Sequence, residues 1–187
     1  MEIKNILQIM EKDSVAVYLK AMSSIHSSTK HYLLISEEIC EEGVAFMQPL
    51  KEHRDAQDHL MRVFALSNPN ISNKNENIKD EDYIIDNVKK AFGHEYRAFF
   101  DTADWFTYIC RRYIREELSF SSKRKKYEEK YNDFTDLKEF INQLPKLIAE
   151  YREKKDVSNC ETVLSEVDKY IETMEVLLNY YNKVELL

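Results

Sequence analysis

A short polar run between residues 52 and 62 contains the side chains that acid–base chemistry on a phosphate group requires. Arg54 is followed directly by Asp55 and, five positions further on, by His59. An imidazole can transfer protons near neutral pH, and a guanidinium can bind a phosphate through two parallel hydrogen bonds. We therefore take Arg54, Asp55 and His59 as the candidate catalytic residues.

The spacing Arg54-x-x-x-x-His59 resembles the Arg-x4–6-His motif of the HEPN helical-bundle ribonucleases. The resemblance implies a site that cuts RNA without a metal ion and is completed when two protomers pair. It implies that His59 acts in acid–base chemistry and that Arg54 holds the phosphate. Five residues turn a helix by about 500°, which leaves these two side chains about 140° apart. A common site therefore needs a kink or a partner chain.

Ion pairing on a helix surface explains the same residues without catalysis. Side chains four residues apart meet on a helix, and opposite charges at that spacing are common on solvated faces. The pairs at this spacing are Arg54–Asp58, Asp55–His59, Asp58–Arg62 and Arg97–Asp101. We prefer this interpretation, so the first functional hypothesis is a non-enzymatic interaction or regulatory protein that works through helix-face contacts. The metal-independent ribonuclease is the alternative.

A second polar segment lies between Gly93 and Trp105. Its polar side chains project from the side of a helix opposite the stripe formed by Phe92 and Phe99. This face is either solvated or a second interface, and the tryptophan beside it favours an interface. The candidate binding residues here are His94, Arg97, Asp101 and Trp105.

A cationic stretch interleaved with aromatic residues follows in this otherwise acidic chain. Cations beside aromatic rings suit single-stranded nucleic acid, so RNA is a possible partner. The alternative is that cations collect near a helix C-terminus, where the helix dipole favours them. The candidate binding residues are Arg111, Arg112, Arg115, Lys123, Arg124, Lys125 and Lys126, and residues 123–126 are predicted to form a turn.

Metal ligands are not evident from residue spacing. A ferritin-like di-iron centre uses Glu-x-x-His, and none of the five histidines has a glutamate three places before it. Glu38-x-x-Glu41 followed by Asp55-x-x-Asp58 resembles the paired acidic motifs of the all-α nucleotide pyrophosphohydrolases, which implies magnesium held near a triphosphate. That activity is a minor alternative. We expect no metal site and no cofactor.

The elements that carry these residues are predicted to be helices throughout. Only two of 187 residues are Gly and three are Pro, which excludes phosphate-binding glycine loops and most sheet-based folds. Apolar residues recur in steps of three and four along most of the chain. We predict one domain over residues 1–187, an up-and-down bundle of about four long helices with short extra helices. An asparagine-rich loop is expected over residues 67–81, and a kink or a break at Pro49.

Charge and cysteine usage indicate where such a bundle resides and what it contacts. The net charge of −7 argues for solubility, and three widely spaced cysteines form no disulfide pattern. No run approaches the roughly 18 apolar residues of a membrane span, so we expect a cytoplasmic protein without membrane contact. The sustained apolar seams also suit a coiled coil, and we expect a homo-oligomer or a protein partner.

Overall fold

The computed structural model describes residues 1–40, 46–68, 70–153 and 160–187. Over these ranges every regular element is an α-helix, which confirms the all-α prediction. Five of these helices have between 19 and 40 residues, where about four long helices were predicted. The helices are α1 (Ile3–Met10), α2 (Asp13–Ile39), α3 (Met47–Ala65), α4 (Asp80–Ser119), α5 (Ser121–Lys130), α6 (Phe134–Glu153) and α7 (Cys160–Glu185).

Helix α4 is the axis of the bundle. It has 40 residues and is therefore about 60 Å long. Helices α2 and α3 contact α4 at positions from Glu81 to Phe106, and α6 and α7 contact it at positions from Tyr96 to Arg115. Buried residues on α4 extend from Ile84 to Ile114 and face several directions, as a helix covered by neighbours on most sides requires.

The directions of α2 and α3 follow from their contacts with α4. Lys12, just before α2, contacts Glu81 near the start of α4, and Tyr32 further along α2 contacts Phe106 further along α4. Helix α2 therefore runs parallel to α4. The histidines of α3 at positions 53 and 59 meet α4 at positions 95 and 87, so α3 is antiparallel to α4. The chain therefore reverses between α2 and α3.

Pro49 lies in the first turn of α3. Proline is tolerated there because the first N–H groups of a helix have no partner within the helix. Of the two outcomes predicted for this position, the described residues show the break, with α2 ending at Ile39 and α3 beginning at Met47.

Two boundaries differ from the sequence prediction. The asparagine-rich connection ends two residues earlier than predicted, because Asp80, Glu81 and Asp82 occupy the first turn of α4, where the helix dipole stabilises acidic side chains. The basic residues 123–126 were expected in a turn but lie within α5. Lysine and arginine are good helix formers, so the local sequence permits this continuation.

Aromatic packing joins the second half of α4 to α7. The buried ring of Tyr170 lies edge-on to Phe100, with ring centroids 4.8 Å apart. Its hydroxyl donates to Asp104 Oδ1 at 3.1 Å, while Arg152 of α6 donates to Oδ2 of the same carboxylate. Three helices are thereby tied to one acidic side chain. Within the described residues, no helix combines the length and the apolar content needed to cross a bilayer.

Removing a ring from the centre of the bundle should destabilise it strongly. Phe106 is fully buried on α4, whereas Phe120 is 59% exposed between α4 and α5. We expect Phe106→Ala to lower the free energy of unfolding by about 3–5 kcal/mol in urea titrations, because it removes apolar contacts and leaves a cavity. The matched control Phe120→Ala should change it by less than about 1 kcal/mol. Equal losses in the two variants would contradict this core.

Candidate functional site

The two polar segments singled out in the sequence face each other across the contact between α3 and α4. Helix α3 presents Glu52 and His53, and α4 presents His94 and Glu95. Each histidine contacts the glutamate of the opposite helix: His94 Nδ1 lies 2.8 Å from Glu52 Oε2, and His53 Nδ1 lies 3.0 Å from Glu95 Oε2. All four side chains are between 10% and 19% exposed. We call these four residues the His–Glu cross-pair.

The two carboxylates of the cross-pair have different additional partners. Glu52 also accepts a hydrogen bond from Arg97 Nε at 2.8 Å. Burial raises the pKa of Glu52, but the hydrogen bonds from His94 and Arg97 outweigh burial and hold its pKa below the usual range. Glu95 instead meets a second imidazole, because His26 Nδ1 of α2 lies 3.1 Å from Glu95 Oε2.

A cleft of about 630 Å³ separates α2 from α3 and has Glu95 at its floor. His26 stands on the α2 wall and His53 on the α3 wall, with their rings 4.7 Å apart. His26 is about half exposed, whereas Glu95 is 10% exposed, so the polar cluster extends from the bundle interior to solvent. The apolar part of the lining is formed by Leu19, Met22, Leu50 and Leu60. A concave, mostly apolar site with a few convergent polar groups is the usual form of a small-ligand site.

The predicted catalytic residues lie on α3, and their hydrogen bonds go to different partners. Arg54 donates through Nε and Nη2 to Asp55 Oδ1, at 3.0 and 2.7 Å. His59 Nδ1 lies 3.0 Å from Asn87 Oδ1, and its ring stacks on His94. The hydrogen bond from Arg54, aided by the charges of His94 and His59, lowers the pKa of Asp55. Arg54 and His59 therefore have separate partners, and Arg54 also lines the cleft between α2 and α3.

The predicted ion pairs are present in part. Asp58 and Arg62 pair at 2.5 Å, as the four-residue spacing predicts. Arg54 instead pairs with its neighbour Asp55, and Arg97 pairs with Glu52 across the helix contact. The Arg97–Glu52 pair depends on the packing of α3 against α4, which sequence spacing does not contain.

The other candidate binding residues of the second polar segment lie along α4. Trp105 is half-buried and its ring centroid lies 5.0 Å from that of Phe46, at the start of α3. Asp101 is also half-buried, one helical turn beyond Arg97. The face opposite the phenylalanine stripe is therefore an intramolecular interface with α3 over much of its length.

The cationic stretch is divided between two helices and lies away from the cleft. Arg111 is sixteen residues beyond Glu95 on α4, which corresponds to about 24 Å. Several of its cations already have protein partners. Arg115 donates to the Ile141 carbonyl, Lys123 pairs with Glu117, and the ion pairs Arg112–Glu116 and Lys125–Glu129 are 3.7 Å long. Arg111, Arg124 and Lys126 each line a different shallow depression.

Two residues of the cleft were missed as site residues in the sequence. His26 stands beside the apolar seam of α2, and Glu95 stands between apolar residues of α4. The sequence indicated Glu95 only as a charged residue among apolar ones. Nothing in the sequence indicated His26, because only the parallel packing of α2 on α4 brings it to Glu95. Of the acidic motif considered for magnesium, Glu38 is exposed on α2, and Glu41 lies outside the described residues.

Comparisons with protein-family models, with curated proteins and with solved structures found no match to this chain. The residues and geometry above are therefore the basis for inferring its function.

The lowered pKa of Glu52 predicts how stability depends on pH. A carboxylate whose pKa is lower in the folded than in the unfolded chain stabilises the fold above its unfolded value, and this contribution is lost as the pH falls through the folded value. We expect Glu52→Gln to be less stable than the wild type at pH 7 by about 1–3 kcal/mol, because two charge-assisted hydrogen bonds are lost.

The same difference should shrink as the pH falls below the ordinary glutamate pKa of 4.5, because the wild-type carboxylate then becomes protonated. Urea unfolding at several pH values measures it. Asp86→Asn is the control, since Asp86 is an exposed residue of α4 that pairs with Lys90 of the same helix. A Glu52→Gln difference that stayed constant with pH would contradict the assignment.

Proposed function

We propose that this chain is a self-associating helical-bundle protein that acts through the outer face of α3. The observation that carries the proposal is an apolar groove of about 770 Å³ at the end of that helix. Met61, Phe64 and Ile71 line the groove and are 50%, 36% and 61% exposed. Clustered exposed apolar side chains at one place on a surface are typical of a contact site.

A second copy of the chain fits the charges of this groove. Asp58 and Arg62 lie along it, and both side chains are more than half exposed. In a two-fold contact, residue i of one copy meets residue j of the other, and the reverse contact forms as well. Asp58 of each copy can then pair with Arg62 of the other while the apolar side chains between them are buried. An acid and a base on one helix face make that face self-complementary.

Placing a charge in the groove should separate the two copies. We expect a light-scattering mass of two chains for the wild type and of one chain for Phe64→Glu, because a carboxylate would be buried against an apolar surface. Leu34→Glu is the matched control: Leu34 is 53% exposed on α2, outside the groove, and the variant should remain a dimer. A wild-type mass of one chain at micromolar concentration would overturn self-association. In that case the groove would bind a different protein.

The second candidate is a metal-independent ribonuclease of the HEPN-like type. The observation that favours it is that Arg54, Asp55 and His59 share the α3 helix with the apolar groove, and that Arg54 and Asp55 form an ion pair. A dimer formed through α3 brings two copies of this set towards each other. The resemblance to the HEPN motif implies such paired protomers, with the arginine and histidine sets of both chains forming one site.

The ribonuclease candidate predicts RNA cleavage in the presence of a chelator. Arg54→Ala and His59→Ala should each reduce the cleavage rate at least about 100-fold, the usual effect of removing an acid–base or phosphate-binding group. The control His31→Ala removes an exposed histidine of α2 and should retain activity. Phe64→Glu should lose activity with the dimer. Full activity in both alanine variants, or no cleavage by the wild-type dimer, would exclude this candidate and leave the interaction protein.

A further inference from the structure

We propose that His26, His53 and Glu95 form a binding site for a divalent transition-metal ion of the Zn²⁺ class at the floor of the cleft between α2 and α3. This inference goes beyond the proposed function, because it concerns a different face of α3 from the dimer groove. It also departs from the expectation of no metal ligands drawn from the sequence. That expectation considered ligands within one helical turn, whereas these three come from three helices.

The distances among the three side chains suit a tetrahedral metal. His26 Nδ1 and His53 Nδ1 lie 3.1 and 3.0 Å from Glu95 Oε2, and the ligand atoms of the three residues all lie within 4.8 Å of one another. Ligands that bind Zn²⁺ at about 2.0–2.1 Å in tetrahedral geometry are about 3.3 Å apart. Small movements of the side chains would therefore admit an ion among them.

The charges around the cross-pair favour the metal at Glu95 rather than at Glu52. Glu52 is neutralised by the permanently charged Arg97. Over the part of the chain that the structure describes, the ion pairs of Glu95 are formed with His26 and His53. Neither imidazole carries a permanent charge, unlike the guanidinium beside Glu52, and the Glu95 side chain is only 10% exposed. A divalent cation would supply a fixed positive charge beside this carboxylate.

The donor set and the access route fit a transition metal. Two imidazoles and one carboxylate are the ligands that Zn²⁺ and its neighbours prefer, whereas Mg²⁺ prefers oxygen ligands and retains its waters. The three residues lie on helices, which hold ligands more precisely than loops do. Because the cleft opens beside His26, a fourth coordination position would face solvent and could take water or a small ligand. Such a partly open coordination shell is typical of metal sites that bind ligands.

Isothermal titration of the chelator-treated protein with ZnCl₂ tests this site. We expect one Zn²⁺ per chain for the wild type, no binding of MgCl₂, and a visible spectrum of four-coordinate Co²⁺ when Co²⁺ is used instead. Glu95→Gln and His53→Gln should weaken Zn²⁺ binding more than about tenfold. Zn²⁺ should raise the melting temperature of the wild type and not that of the variants, because an ion that binds the folded state stabilises it.

Two matched variants separate this site from folding effects and from surface histidines. His26→Gln changes a half-exposed ligand, so this variant should fold normally and still lose Zn²⁺ affinity. His94→Gln alters the other half of the cross-pair and should keep the affinity, as should His31→Gln on the exposed surface of α2. Wild-type affinity in His26→Gln and His53→Gln, or no Zn²⁺ binding by the folded wild type, would overturn the proposal.

Discussion

The packing of α3 on α4 depends on satisfying two carboxylates in a largely water-excluded contact. Glu52 and Glu95 lie on opposite helices, and each meets a histidine of the other. A buried carboxylate without a partner costs several kcal/mol, so displacing α3 by one residue would leave both acids unpaired. The cross-pair therefore fixes the register of the two helices more strictly than the small apolar contacts of Ala56 and Val63 alone would do.

The cleft exists because α2 and α3 both pack on α4, and its two walls meet at the rings of His26 and His53. Each wall supplies an imidazole, and the shared helix supplies the acid between them. Polar side chains can line such a gap without the cost of full burial, since its mouth is open to solvent. The same geometry places the other flank of α3 outward, where Asp58, Arg62 and the apolar groove lie. One helix thus presents two chemically different surfaces.

The helical class and most helix positions could be predicted from the sequence, because scarce glycine and regular apolar steps are local properties. The polar segments around His53 and His94 were also recognisable. Their partners on other helices could not be predicted: Arg97 bonds Glu52 of α3, and His26 of α2 reaches Glu95. Contacts between helices depend on which faces meet, and one sequence does not contain that information. The basic residues 123–126 were predicted to form a turn but lie in α5. That prediction failed because tertiary packing rather than composition decides where α4 ends and α5 begins.

The length of α4 has a consequence for how the molecule opens. Helices α2 and α3 contact its earlier part and α6 and α7 its later part, and the two sets of contacts overlap between Tyr96 and Phe106, so two groups of helices share one continuous backbone. Cooperative units of this kind separate at different free energies in hydrogen exchange. The amides near Phe99 and Phe100 lie in the overlap, so we expect them to exchange only when both groups have opened. The slowest exchange is therefore expected in the stretch of α4 where the two groups of helices meet.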